Sequence, residues 1–149
     1  MTKWVFALLA VPALAIVNVA AGAADPLPYE IIGDGIPAPL SSNAGDPARG
    51  RELIVARDSA NCVLCHAVPD ATIRFAGDVG PSLAGVGQRL TVPQLRLRVV
   101  DELRLNPATV MPSYFKVAGL AQVAVPYAGK PILSAREVED IVAWLATLQ

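Results

Sequence analysis

Histidine occurs once in this chain of 149 residues, at position 66, and cysteine twice, at 62 and 65. A structural zinc site needs four ligands, and no second Cys/His cluster exists to complete one. Neither sign of charge dominates: 12 basic residues stand against 13 acidic ones, a net of −1. That balance gives no reason to expect nucleic-acid binding. Aromatic residues make up only 5% of the chain, and beyond position 24 they reduce to Tyr29, Phe75, Tyr114, Phe115, Tyr127 and Trp144. Aromatics carry much of the burial in a small core, so some other apolar material is needed to fill this one. No run alternates apolar and polar residues as a half-buried strand would, and no internal repeat is visible.

What is present begins with an export pattern. Met1-Thr2-Lys3 precedes an apolar run from Trp4 to Val17, and AAGAA follows at 20–24. One early positive charge, an apolar stretch and an Ala21-x-Ala23 site predict a signal peptide over 1–24, cleaved after Ala23 or Ala24. The alternative is an uncleaved anchor, since the apolar stretch nearly reaches spanning length; the small residues before Asp25 favour cleavage. Only Lys3 is lost from the 12 basic residues, which leaves 11 against 13 acidic. The remaining length suits one domain. Export also places the cysteines where a Cys62–Cys65 disulfide is permitted.

Residues 25–45 are rich in Pro and Gly and predict an extended N-terminal segment, followed by a domain over 46–149. Asp46-Pro47 reads as the cap and first residue of a helix reaching about Asp58, with Leu53 and Ile54 facing inward and Arg49, Arg51 and Arg57 in solvent. Gly50 inside it costs about 1 kcal/mol relative to Ala, which points to a close approach by another chain segment. A loop region is expected over 67–90. Thr91-Val92-Pro93-Gln94 reads as a capping box opening a second helix with Leu95, Val99 and Leu103 on one face, ending by Asn106 because Pro107 follows. Residues 107–133 read as mostly loop. Ser134-Ala135-Arg136-Glu137 is a second capping box, opening a final helix with Val138, Ile141, Val142, Leu145 and Leu148 on one face; Glu137, Glu139 and Asp140 suit its dipole. The expected class is all-α with long loops.

Both cysteines and the histidine fall in Asn61-Cys62-Val63-Leu64-Cys65-His66. A redox dithiol of the thioredoxin type expects a βαβ pattern nearby, which this sequence lacks. The remaining reading is C-x-x-C-H, the attachment motif of c-type haem. Two thiols at this spacing add to the two vinyl groups on one porphyrin edge. The histidine that follows then swings its imidazole under the ring to bind iron. One covalent haem c would also supply the missing apolar volume.

The sixth iron ligand follows by elimination. His66 is the only histidine, the cysteines are used, and Met1 leaves with the signal peptide, so Met111 remains. It lies between Pro107 and Pro112, whose fixed φ stiffens the loop. A methionine is more commonly a core filler, but the motif and the prolines favour the ligand role. In Gly80-Pro81-Ser82-Leu83-x-Gly85 the Pro81 carbonyl is placed to accept from the free ring N–H of His66; taken alone this segment is a plain turn. Met/His ligation raises the potential and closes the iron to substrates, so the chemistry is electron transfer, with no catalytic residue assigned. Arg89, Arg96, Arg98 and Arg104 flank these loops in sequence. Pairing with haem propionates or with a partner's carboxylates is open to them, beside the simpler reading of a solvated face.

At the level of its helices and CxxCH the chain resembles small class I cytochromes c, in which the terminal helices cross; Gly50 against the Trp144 region would match that contact. The runs NCVLCHAVP, GPSLAGVGQR, QLRLRVVD, NPATVMPSY and GKPILSAREVEDIVAWLATL together resemble the SoxX family, over roughly residues 46–149. That family supplies the monohaem subunit of the periplasmic SoxAX complex of the sulfur-oxidising Sox system. The resemblance implies a heterodimer with SoxA, transient contact with the carrier protein SoxYZ, and a soluble cytochrome as electron acceptor. It further implies that the subunit takes electrons as thiosulfate is joined to a SoxYZ cysteine, within a heteromeric L-cysteine S-thiosulfotransferase whose reacting cysteine belongs to SoxA. Cys62 and Cys65 then anchor the haem, with His66 proximal and Met111 distal. Two other readings compete: a free-standing electron carrier between respiratory complexes, and a haem-based sensor or peroxidase, which the lack of a second histidine and the presence of Met111 disfavour. The apolar residues Tyr114, Phe115, Val117, Leu120, Val123 and Val125 offer either a partner interface or cover for the haem edge.

Overall fold

A computed structural model describes residues 27–149 of the chain. The expected signal peptide, 1–24, lies outside the described residues. Among the described residues there are four α-helices and no strands beyond one isolated bridge, Ile32 with Gly35. None of these helices is long and apolar enough to cross a membrane.

The first helix, α1, spans Pro47–Val55. Asp46 caps it, its carboxylate accepting from the amides of Ala48 at 2.9 Å and Arg49 at 3.3 Å. The helix ends three residues before the expected Asp58, because Ala56 turns to extended geometry (ψ 113°) and the chain closes tight turns onto the Ala56 carbonyl. The expected loop over 67–90 contains a short helix, α2, Val86–Arg89, which follows left-handed Gly85. Four residues carry too little periodicity to announce a helix. Helix α3 spans Val92–Asp101 and continues as a 3₁₀ turn, Glu102–Arg104. Helix α4 spans Ala135–Thr147. Both expected capping boxes form: the Thr91 amide donates to Gln94 Oε1 at 2.8 Å, and the Ser134 amide to Glu137 Oε2 at 2.8 Å.

The core lies where α1, α3 and α4 meet. Leu53 and Ile54 of α1, Leu95, Leu97, Val99 and Val100 of α3, and Val138, Ile141, Val142 and Leu145 of α4 are all buried. The predicted stripe on α3 is too narrow, since Leu97 and Val100 are fully enclosed while Leu103 is half-buried. This helix is covered on more than one side. The N-terminal segment supplies part of that cover. Ile36 donates its amide to the Pro93 carbonyl at 3.0 Å, and both Ile36 and Leu40 are buried.

The crossing of α1 over α4 turns on Gly50. A Cβ there would run into the Asp140 carbonyl and approach the Ile141 amide. The contact is therefore one turn before Trp144, backbone against backbone, and only a residue without a side chain fits.

Two acidic residues of α4 correct a sequence expectation. Glu139 and Asp140 are buried and serve as hubs, beyond any favourable dipole. Arg96, expected on a solvated face or against a propionate or partner, is 4% exposed and makes a two-pronged pair with Glu139, Nε to Oε1 at 2.7 Å and Nη2 to Oε2 at 2.9 Å. The same pair holds the N-terminal segment, with the Leu40 amide on Glu139 Oε1 at 2.8 Å and Arg96 Nη1 on the Ile36 carbonyl at 2.6 Å. Asp140 accepts from the Asp46 amide at 2.7 Å and from Arg136 Nε at 2.9 Å. Arg49 also pairs with it at 3.2 Å, without hydrogen-bond alignment. A charged pair taken out of water survives only when its remaining lone pairs and protons are satisfied, and at Glu139 they are.

Candidate functional site

Cys62, Val63 and Leu64 form one 3₁₀ turn, entered through Asn61 in the left-handed region (φ 44°). The Cys62 carbonyl accepts from the amides of Cys65 at 3.1 Å and His66 at 3.0 Å, so the turn gathers all three motif side chains. The two cysteines form no disulfide with each other. Burial pushes the unattached Cys62 thiol up to about 12.

A second segment runs alongside. Gly77, Gly80 and Leu83 donate their amides to the carbonyls of Val63, Cys65 and Ala67 at 2.8, 2.8 and 2.9 Å. This pairing brings Pro81 to His66, whose Nδ1 lies 2.7 Å from the Pro81 carbonyl. A carbonyl only accepts, so Nδ1 carries the ring proton and Nε2 presents a bare lone pair. Gly80 makes the approach possible, because a Cβ on it would strike the imidazole ring. Arg89 secures the same segment by donating to the carbonyls of Ser82, at 3.1 Å, and Ala84. It is thus a brace for the Pro81 turn, a role its sequence position did not announce.

Asp70 anchors the loop between the two segments. It accepts from the Thr72 hydroxyl at 2.6 Å, the Thr72 amide at 2.9 Å and Arg51 Nε at 2.7 Å. These bonds hold its carboxyl down at about 2. Arg51, expected in solvent, therefore ties α1 to the loop after the motif.

Met111 is half-buried, packs against the core and donates its amide to Thr109 Oγ1 at 3.1 Å. The residues after it are clamped. Ser113 Oγ donates to buried Asp101 at 2.8 Å, Lys116 Nζ pairs with the same carboxylate at 2.9 Å, and the Tyr114 amide reaches the Val99 carbonyl at 3.2 Å. Tyr114 also crosses to the motif side, donating its hydroxyl to the Ala60 carbonyl at 2.8 Å. Tyr114 and Phe115, read as either partner interface or cover for the haem edge, are buried and so not an exposed interface, Phe115 to 2% exposure with its ring 6.2 Å from that of Tyr29. Val123 and Val125 do remain exposed. A cavity of about 260 Å³ touches Pro112, Lys116, Leu120 and Tyr127 but none of Cys62, Cys65, His66 or Met111.

These residues fit a covalent haem. Two thiols and a histidine with a free Nε2 project from one turn, and Gly80 keeps space beside the imidazole. Leu64, Phe75, Val79 and Val110 flank the motif and Met111 in sequence, and all four are open, Phe75 at 90%. Among the described residues no group of three His, Cys, Asp or Glu is placed to hold a metal ion directly.

A cytochrome c family model matches residues 47–149. No match is found among curated proteins. Among solved structures, a chain of SoxXA from P. pantotrophus is 32% identical with a TM-score of 0.74, the match covering 80% of this chain and 93% of that one. The c-type cytochrome SorU from Sinorhizobium meliloti is 24% identical with a TM-score of 0.44, covering 68% and 88%. Ferric cytochrome c-550 from Paracoccus versutus is 20% identical with a TM-score of 0.41, covering 70% and 98%.

Proposed function

Since this chain belongs to the cytochrome c family, as a SoxX-like member with one covalently bound haem c that transfers electrons, we propose that it is the electron-accepting subunit of a thiosulfate-oxidising SoxAX complex. The observation that carries the site is the His66 Nδ1 bond to Pro81, which fixes the tautomer and leaves Nε2 for iron. Cys62 and Cys65 are the thioether anchors, His66 the proximal ligand and Met111 the distal one. The haem, when bound, supplies a one-electron centre. The protein's part would be to hold the side chains of His66 and Met111 still, so that little geometry would change on electron transfer. Pro81 and Arg89 steady the proximal side; Ser113 and Asp101 steady the segment after Met111. With His66 and Met111 both holding the iron, the site would leave no position open to a substrate.

The partner assignment is supported by the 32% identity to a chain of SoxXA over most of both chains. SoxA is accordingly the stable partner and SoxYZ the transient one, with a soluble cytochrome receiving the electron. No further cysteine is present to carry sulfur, since Cys62 and Cys65 are both committed to haem. The location is periplasmic, reached through the signal peptide 1–24. Purification of the tagged protein from thiosulfate-grown cells should bring down a second c-type cytochrome in stoichiometric amount. Recovery of a haem-bearing monomer alone would favour the free-standing carrier and discard the subunit assignment. For the ligand, Met111→Ala should remove the weak near-infrared sulfur–iron band of the ferric protein and open a water-binding position.

A further inference from the structure

Tyr114 stands three residues after Met111, and its backbone is fixed on two sides. Its amide donates to Val99 at the end of α3, and its carbonyl accepts from Leu133 at 2.9 Å. Neither of these bonds reaches the motif. The hydroxyl does: it donates at 2.8 Å to the carbonyl of Ala60, a buried residue two positions before Cys62. The side chain therefore spans from the segment bearing Met111 to the segment bearing Cys62, Cys65 and His66. Between Met111 and Tyr114 stand only Pro112, with its fixed φ, and Ser113, bonded to Asp101. Little slack remains between the thioether and the tether.

We propose that Tyr114 is a positioning residue of the haem site: its buried hydroxyl, bonded to the Ala60 carbonyl, sets the distance between the distal and proximal segments and so how firmly Met111 is held at iron. This rests on Met111 being the distal ligand. Removing the hydroxyl leaves the ring in the core but cuts the tie, so the segment bearing Met111 yields more readily to a competing ligand. A net intramolecular hydrogen bond of ordinary strength corresponds to roughly a 2- to 10-fold effect on such a competition.

The test compares three holoproteins: wild type, Tyr114→Phe and Met111→Ala. Each is examined for the ferric near-infrared band and titrated with imidazole. Tyr114→Phe should bind imidazole roughly 2- to 10-fold more tightly than wild type, with the band weakened or lost. A variant that melts at lower temperature yet keeps the band and the wild-type imidazole affinity shows a merely structural hydroxyl and overturns the proposal. If Met111→Ala leaves the band unchanged, the ligand assignment itself fails, a result separate from any outcome at Tyr114. Should Tyr114→Phe not accumulate as holoprotein, proton NMR of reduced wild type decides. A slowly exchanging Tyr114 hydroxyl supports the tether, and one exchanging as freely as that of the more exposed Tyr127 overturns it.

Discussion

Where α1 crosses α4, the chain touches backbone to backbone at Gly50, beside buried Glu139 and Asp140, each tied to several partners. Around His66 and Met111 the chain is mostly loop, held by a few backbone pairings and by side-chain bonds that include Pro81 to His66, Asp70 to Arg51, Ser113 to Asp101 and Tyr114 to Ala60. The first region resists by packing, the second by a few directed tethers. Packing failures are global, because interiors are dense and the surrounding structure relaxes only in part. Tether failures are local, because each bond governs one segment. The helical frame should therefore set whether the protein folds, and the tethers should set how the haem behaves.

The sharpest way to break that division is at Glu139. Glu139→Ala strands the Arg96 guanidinium in the core and releases Leu40, and should cost about 3–5 kcal/mol in denaturant unfolding. The reduction potential of whatever holoprotein survives should be unchanged; a shifted potential would mean that frame and site are not separate. Gly50→Ala comes next. Its methyl group meets the Asp140 carbonyl, so the helices must part, for a loss of about 3 kcal/mol by the same measurement. Ser134→Ala removes one bond of a capping box and should lower stability by about 1 kcal/mol, again with an unaltered visible spectrum.

The gentlest test lies in the tethers. Asp70 titrates at about 2, below its usual range, because the Thr72 hydroxyl and amide and the Arg51 guanidinium all favour its charged form. A depressed carboxyl contributes stability above its unfolded-state value near 4, and that contribution is lost as pH falls through the folded value. Acidification from pH 4 to pH 2 should thus loosen the 69–73 turn. The faster exchange of the Ile73 amide, which donates to the Asp70 carbonyl at 3.0 Å, should be absent in Asp70→Asn.

The same division explains what the sequence made legible. Helix starts were readable because capping is local chemistry: Asp46, Thr91 and Ser134 each announce themselves within four residues. CxxCH and the count of one histidine marked the candidate haem residues for a similar reason. Arg96 was misplaced because its partner Glu139 is 43 residues away and nothing nearby marks it as buried. Arg89 and Tyr114 were missed as supports because their partners are backbone carbonyls, which leave no trace in residue type. Tyr114 and Phe115 read as an exposed patch because a short apolar run in a loop looks the same whether it faces a partner or the core.

The contact between Asp46 and Asp140 joins residues 94 positions apart, and the length of chain between them contains both the motif and Met111. The entropy of closing such a circuit grows only with the logarithm of its length, about 0.6 kcal/mol for each doubling. Insertions into the stretch 117–131 should therefore be nearly free, provided that the tethers on either side keep their partners. The crossing works as a clasp whose strap is adjustable, and new recognition loops for other redox partners can be fitted to it without recutting the buckle.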